Sequence, residues 1–327
     1  MVKVSEKHDT LFHYTNGVGL KGILETQCLH ATHYKFSNDD TEMAAIKPRL
    51  KAFAESAFKK LALARSPVHE HTIKSDQGTD EAGQQAELLI SKIYAVTFGN
   101  DQRRHKFFEP YIVSFCGHTD AYERENGLLS MWRGYGRDQG YAIAFETGEM
   151  EQLIKAEVEL NQYDHDTFGE ITYSNDDVGF IKQFPDLEIQ LSNAVSAISR
   201  KQPEELGPLY SAFATSASLY KHEGFKEEQE VRLCLSPRSP SMTAYLKTVD
   251  PEYVSPFLGK TPKEISFKET LTPYIAILQD IDDRRLPIRK IIVGPHADKE
   301  RRRERLTKYL ELKGLAIEVR CSETPFV

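Results

Sequence analysis

Short apolar runs separated by polar turns dominate this chain. Residues 11–14, 28–34, 111–116, 140–145, 169–173, 231–235 and 289–293 are rich in β-branched and aromatic side chains and are bounded by turn formers. They read as strands. Residues 93–98, 156–160 and 315–321 read as further strands, and 265–267 and 274–277 as short ones. Helical spacing predicts a short helix over 19–25 and a long one from 43 to about 64, bent near Pro48. It also predicts helices over 85–91, 186–199 and 208–221, and a highly charged one after Gly294-Pro295 that runs to about 312. Residues 37–42 form a polar turn with helix-capping chemistry. Residues 66–84 and 99–109 read as loops, and 236–241, with two prolines, as a turn. The stretch between the strands at 111–116 and 140–145 is polar and glycine-containing.

These elements do not alternate regularly between strand and helix, and no glycine-rich phosphate loop follows a strand. The expected class is therefore α+β, with a largely antiparallel sheet. The 327 residues, 40% of them apolar or aromatic, suffice for a substantial core. The first residues have no apolar segment of the signal-peptide kind, and no run is long enough to cross a bilayer. Cys28, Cys116, Cys234 and Cys321 are far apart and lack metal-ligand spacing. Buried thiols in a reducing cytoplasm are the expectation. A net charge of −7 argues against non-specific grip on duplex nucleic acid. Basic patches at 102–106, at Arg289-Lys290 and at Arg301-Arg302-Arg303 leave room for a small phosphate-bearing ligand or a short RNA.

Chemistry concentrates in three places. Phe12-His13-Tyr14-Thr15 ends the first strand, where His13 and Thr15 are placed to bond a sugar hydroxyl or an amide. Ser130-Met131-Trp132-Arg133-Gly134-Tyr135-Gly136 offers an aromatic to stack on a flat ring, a guanidinium suited to phosphate, and glycines that admit a close ligand. Four carboxylates crowd into 223–230, and Glu230 sits where polar loop turns into strand. If the strand reaches back to Glu228, both side chains share a face. One can stabilise positive charge while the other orients a nucleophile. A solvated connector, or a metal-dependent nuclease or hydrolase using Asp39 or Glu170 as a third ligand, fits the same spacing. His8, His13, His30 and His33 lack the partners of a zinc site, so no metal is expected.

Taken in order, several segments resemble a bacterial family, the DUF2971 group, placed by fold among the ADP-ribosyltransferase-like proteins. They are Leu11-Phe12-His13-Tyr14-Thr15, the run 29–39, Val113-Ser114-Phe115-Cys116, 129–136 and 222–233. The resemblance implies a single domain over 1–327, a split, mostly antiparallel β core with helical insertions at about 43–91 and 186–221. It implies NAD as co-substrate, His13 at the nicotinamide ribose, Glu230 as the residue that drives transfer and Glu228 as its helper. Tyr14, Thr15, Tyr34, Trp132 and Tyr135 become candidate cofactor contacts, and Arg133 suits the cofactor phosphates. The implied activity is mono-ADP-ribosyl transfer to RNA, DNA or protein by a cytoplasmic toxin or phage-defence effector, with an antitoxin protein as a partner. A non-catalytic nucleotide-binding protein of the same fold is the alternative.

Overall fold

The computed structural model describes residues 3–36, 43, 46–65, 76–98, 108–135, 140–174, 177–202, 206–252, 254–255, 257–267 and 270–325. The turn expected at 37–42, Asp39, Gly136 and the basic patch at 102–106 lie outside them. In chain order, β1 (Thr10–Thr15) leads through α1 (Gly17–Thr26) to β2 (Leu29–His33). Helices α2 (Lys47–Arg65) and α3 (Asp76–Phe98) follow, then β3 (Tyr111–Cys116), α4 (Ala121–Asn126), α5 (Leu129–Tyr135) and β4 (Tyr141–Glu146). Next come α6 (Thr147–Asn161), β5 (Tyr163–Glu170), β6 (Thr172–Tyr173), α7 (Asp177–Gln183), α8 (Pro185–Ser199) and α9 (Leu206–Ser218). β7 (Tyr220–Lys221), a 3-10 turn (Glu223–Glu228), β8 (Glu230–Pro237), α10 (Pro240–Val249), β9 (Lys263–Phe267) and β10 (Thr270–Ile277) precede β11 (Ile288–Val293), α11 (Lys299–Leu312) and β12 (Glu318–Cys321).

Ten strands form one mixed sheet in the order β12-β11-β4-β1-β3-β2-β10-β9, with β8 paired to β3 and β5 paired to β8. β11 and β12 run parallel; the other pairs of this sheet are antiparallel. β3 is the fork. One edge pairs with β8 along its whole length, from Tyr111↔Leu235 to Cys116↔Glu230. The other edge meets β2 only at Ile112 and Tyr111, and β1 only at Cys116. β1 and β2 thus part beside the middle of β3, and Ser114 stands at the gap.

Side-chain alternation divides the core between the two faces. On one, Leu11, Ala31, Val113, Phe115, Leu233 and Ile291 pack under α1, α6 and α11. On the other, Ile112 and Cys234 pack against the layer of α2, α3, α8 and α9. Phe12, Tyr14, Cys116 and Ala144 pack there too, under Met131 and Trp132 of α5. Between these two covers the same face of β3 carries Ser114, which is exposed.

Four expectations change. Residues 93–98 are the last turns of α3, not a strand: Ala82, Ala86, Leu89, Ile90 and Ile93 are buried at helical spacing, and Thr97 continues that stripe. The β-branched and aromatic residues there are helical because tertiary burial outweighs propensity. Much of the loop expected at 66–84 belongs to the same helix, which begins at Asp76. Residues 156–160 lie in α6, where Met150, Ile154, Glu157 and Asn161 make the buried stripe. The turn expected at 236–241 instead closes β8 and opens α10, with Ser239 as N-cap and Pro240 at the first helical position.

Candidate functional site

Glu230 opens β8 and is 4% exposed. Its carboxylate accepts four hydrogen bonds. Arg232 grips it side-on, Nε to Oε1 at 2.8 Å and Nη2 to Oε2 at 2.9 Å. Ser114 Oγ donates to Oε1 at 2.6 Å, and Lys221 Nζ to Oε2 at 3.2 Å. The strand period makes this local: Glu230 and Arg232 lie two apart on one face, and the register sets Ser114 opposite Arg232. Burial alone would raise this carboxyl; Arg232 and Lys221 outweigh it and hold the pKa down at about 2, from an ordinary 4.5. Glu230 is an anion at every physiological pH.

Glu228 does not share the strand. It ends the 3-10 turn, and Gln229, at φ 46°, reverses the backbone before β8 starts. The two glutamates meet through Lys221, which also donates to Glu228 at 2.6 Å. Lys221 comes from β7, and its ammonium lies 4.6 Å from the centre of the Phe225 ring. A left-handed non-glycine residue beside a buried carboxylate is a local strain. It is held by neighbours: Gln229 Nε2 donates to Glu123 at 2.8 Å, and its carbonyl accepts from Gly117 N.

His13 reaches the same point from the other side. Alternation places it on the face of Leu11 and Phe115, whose ring it meets edge-on at 5.9 Å. Its Nδ1–H donates to the Ser114 carbonyl at 3.0 Å, which leaves Nε2 as the acceptor nitrogen. Ser114 therefore joins His13, through its carbonyl, to Glu230, through its hydroxyl. Burial pushes the His13 imidazole below its ordinary pKa, so it is neutral.

The remaining candidates fall elsewhere. Tyr14 and Trp132 lie inside the core under α5, rings edge-on at 4.8 Å, and Trp132 Nε1 donates to the Asn126 carbonyl at 2.9 Å. Tyr14 Oη accepts from Leu128 N and donates to His118 Nε2, each at 2.8 Å. Burial lowers His118 to a pKa of about 4. Thr15 is half-buried against Gly19 of α1. Tyr34 packs on His33 and Phe98, away from Glu230, and burial raises its phenol to about 12. Arg133 and Tyr135 are exposed on the last turn of α5. Glu170, named above as a third acidic ligand, is engaged by Lys7 and by His8 at 2.8 Å. Among the described residues no three His, Cys, Asp or Glu side chains converge to hold a metal ion.

The site thus contains three residues that the motif reading passed over. Arg232 had a signal, a second charged residue two places along an apolar strand. Ser114 had one as well, as the lone hydroxyl in Tyr111-Ile112-Val113-Ser114-Phe115-Cys116. Lys221 had none, because only the pairing of β6 with β7 brings it back to β8.

No described helix is long and apolar enough to cross a membrane. No curated protein and no solved structure matches the chain. Residues 131–233, from Met131 of α5 to Leu233 of β8, match the model of a family described as a protein of unknown function, DUF2971.

Proposed function

We propose that the protein is an NAD-dependent mono-ADP-ribosyltransferase whose transfer step is driven by Glu230. The observation that carries this reading is the gap beside β3, where the exposed Ser114 hydroxyl leads directly to a buried, permanently ionised carboxylate. An anion fixed in a poorly solvated place stabilises positive charge that develops next to it far better than one in water. Bound NAD would supply the leaving group and the ribose on which that charge grows.

All four lone-pair positions of Glu230 are taken by Arg232, Ser114 and Lys221. A ribose hydroxyl must therefore replace one donor. Ser114 is the one facing solvent, and its hydroxyl is free to rotate. Arg232 and Lys221 then keep the carboxylate in place, Glu228 shares Lys221 with it, and His13 holds the β3 backbone at the gap. The acceptor is a protein or nucleic-acid group approaching from the open side.

The same full set of partners also favours a second reading, in which Glu230 is a structural anion and the protein binds a nucleotide without turning it over. Labelled NAD incubated with the protein and a cell extract separates the two. The transferase reading expects label in protein or nucleic acid, or free ADP-ribose if water serves as acceptor, and its loss by about 10²–10³-fold in Glu230→Gln. No NAD turnover in any fraction, or turnover untouched by Glu230→Gln, rejects it.

A further inference from the structure

One end of the sheet carries chemistry that this proposal does not use. Thr15 of β1, Tyr141 of β4, Val293 of β11 and Cys321 of β12 form one register row across it. β1 and β11 are both antiparallel to β4, so they run the same way and both finish here. Each then feeds a helix, α1 and α11, whose amino ends lie at this edge. The amino end of a helix presents amide donors to an anion.

The two helix starts differ. Asn16 caps α1, accepting from Gly19 N at 2.8 Å. Asp298, at the N-cap of α11, makes no side-chain cap bond, and the amides of Glu300 and Arg301 make no hydrogen bond among the described residues. The amides of Asp298 and Lys299 donate to His296, through its Nδ1 and its carbonyl, so the unmet amides at the positive end of this fourteen-residue helix are those of Glu300 and Arg301.

Arg302, in the first turns of that helix, is the independent observation. It is 7% exposed, although arginine is seldom buried without a counter-ion. Its Nη2 donates to the Gly140 carbonyl at 3.3 Å, and its guanidinium lies 4.7 Å from the centre of the Tyr141 ring. Its Nε and Nη1 are buried and unpartnered. Among the described residues no carboxylate pairs with it; the neighbouring Glu300 is taken by Arg303 at 3.0 Å. A cation out of water with unmet donors costs several kcal/mol unless an anion meets it. Helical side chains lean toward the amino end, so this guanidinium and the uncapped amides serve the same corner. Gly294 completes it: a Cβ there would sit 2.9 Å from Trp132 and 3.0 Å from the Gly140 carbonyl, so the backbone closes tightly beneath.

We infer that Arg302 and the first-turn amides of α11 form a binding site for the terminal phosphoryl group of a small phosphorylated ligand. A phosphoryl group brings the negative charge that Arg302 lacks and enough oxygens to accept from both Arg302 and the amides. The inference does not rest on the reaction proposed for Glu230.

The test is thermal unfolding and calorimetry of the full chain with inorganic phosphate or AMP, against potassium chloride at equal ionic strength and a short oligonucleotide that carries phosphodiesters alone. The expected result is a Tm that rises with phosphate and with AMP but not with chloride or the oligonucleotide. Arg302→Met should lose that response while staying folded in phosphate-free buffer, since an apolar chain replaces an unpaired buried cation without penalty. If Arg302→Met does not fold, Arg302→Lys, which keeps the charge but loses the Nε donor, should bind phosphate about tenfold more weakly. A wild-type Tm indifferent to phosphate, an equal response to the oligonucleotide, or a response kept in these variants overturns the inference.

Discussion

Glu157 and Glu230 are both carboxylates sunk below the surface, and each is met by four protein donors. Glu157, in α6, is 0% exposed. It takes Asn161 Nδ2 at 2.9 Å, Tyr163 Oη at 2.6 Å, Leu278 N at 2.7 Å and Lys260 Nζ at 3.0 Å. Every one of those donors is itself buried. The cluster ties α6 to the end of β10, where Leu278 turns with φ 65°. Glu230 has as many bonds but a different neighbourhood: one of its donors, Ser114, faces solvent, and the strand beneath it has lost part of its pairing. Saturation of hydrogen bonds alone does not separate a structural anion such as Glu157 from the working one proposed at Glu230. What separates them is whether any donor can exchange with something from outside.

The largest effect expected from this contrast is on stability. Glu157→Ala should lower the unfolding free energy by about 3 kcal/mol, at the lower end for a broken buried pair, because Asp280 still holds Lys260 at 2.5 Å. Chemical denaturation reads it. A loss under 1 kcal/mol, on the scale of an exposed pair, would deny Glu157 its structural place.

Acid unfolding comes next. Burial lowers His118 and His165 from 6.5 to about 4. Between those values the unfolded chain binds protons that the folded one refuses, so stability falls as pH drops from about 6.5 to about 4. Glu230 adds a lower window. Its folded pKa of about 2 lies below the ordinary 4.5, so its contribution is complete above 4.5 and disappears as pH falls towards 2. Urea midpoints across pH should show both declines, and Glu230→Gln should shrink only the lower one, to which Glu87, Glu125 and Glu170, also held below 4.5, contribute as well. A profile flat from 6.5 to 4 contradicts the buried neutral imidazoles.

Ser114→Ala gives the smallest change. It removes one exchangeable donor and should alter stability by about 1 kcal/mol or less. If Ser114 is the gate to Glu230, NAD turnover in this variant changes in kcat or KM while the denaturation midpoint hardly moves. Equal behaviour of Ser114→Ala and wild type in both assays would make the two buried glutamates alike after all.

Much of the sheet was legible because its strands announce themselves. Apart from Ser114, Tyr111 to Cys116 and Tyr141 to Phe145 are apolar or aromatic, and Arg289 to Val293 ends in three β-branched residues; each run is closed off by a polar residue or glycine. Helix α3 misled because a few apolar residues in a row at 93–98 imitate a buried strand, and α6 because Ala156-Glu157-Val158-Glu159-Leu160 alternates like a half-buried one. Only the longer stripe, Ala86 to Ile93 or Met150 to Glu157, shows the period. In the site, Glu230 and His13 were readable as polar residues at strand ends. Their connection was not, because it depends on β1 and β2 leaving β3 bare at Ser114, a matter of pairing rather than of composition. Arg302 was read only as one of a basic run, and burial alone distinguishes it from Arg301 and Arg303, which face solvent.

Trp132 has a consequence outside structure and chemistry. It is the only tryptophan in the chain. Its indole is enclosed between Tyr14, one ring from His118, and Gly294, beside the corner that Arg302 occupies. All the indole light of this protein therefore comes from a single dry position that borders both places of interest. Protonation of His118, rearrangement at the end of β1 and an anion arriving near Gly294 would each reach the same emission band. The protein can be followed by its own fluorescence, with no label attached.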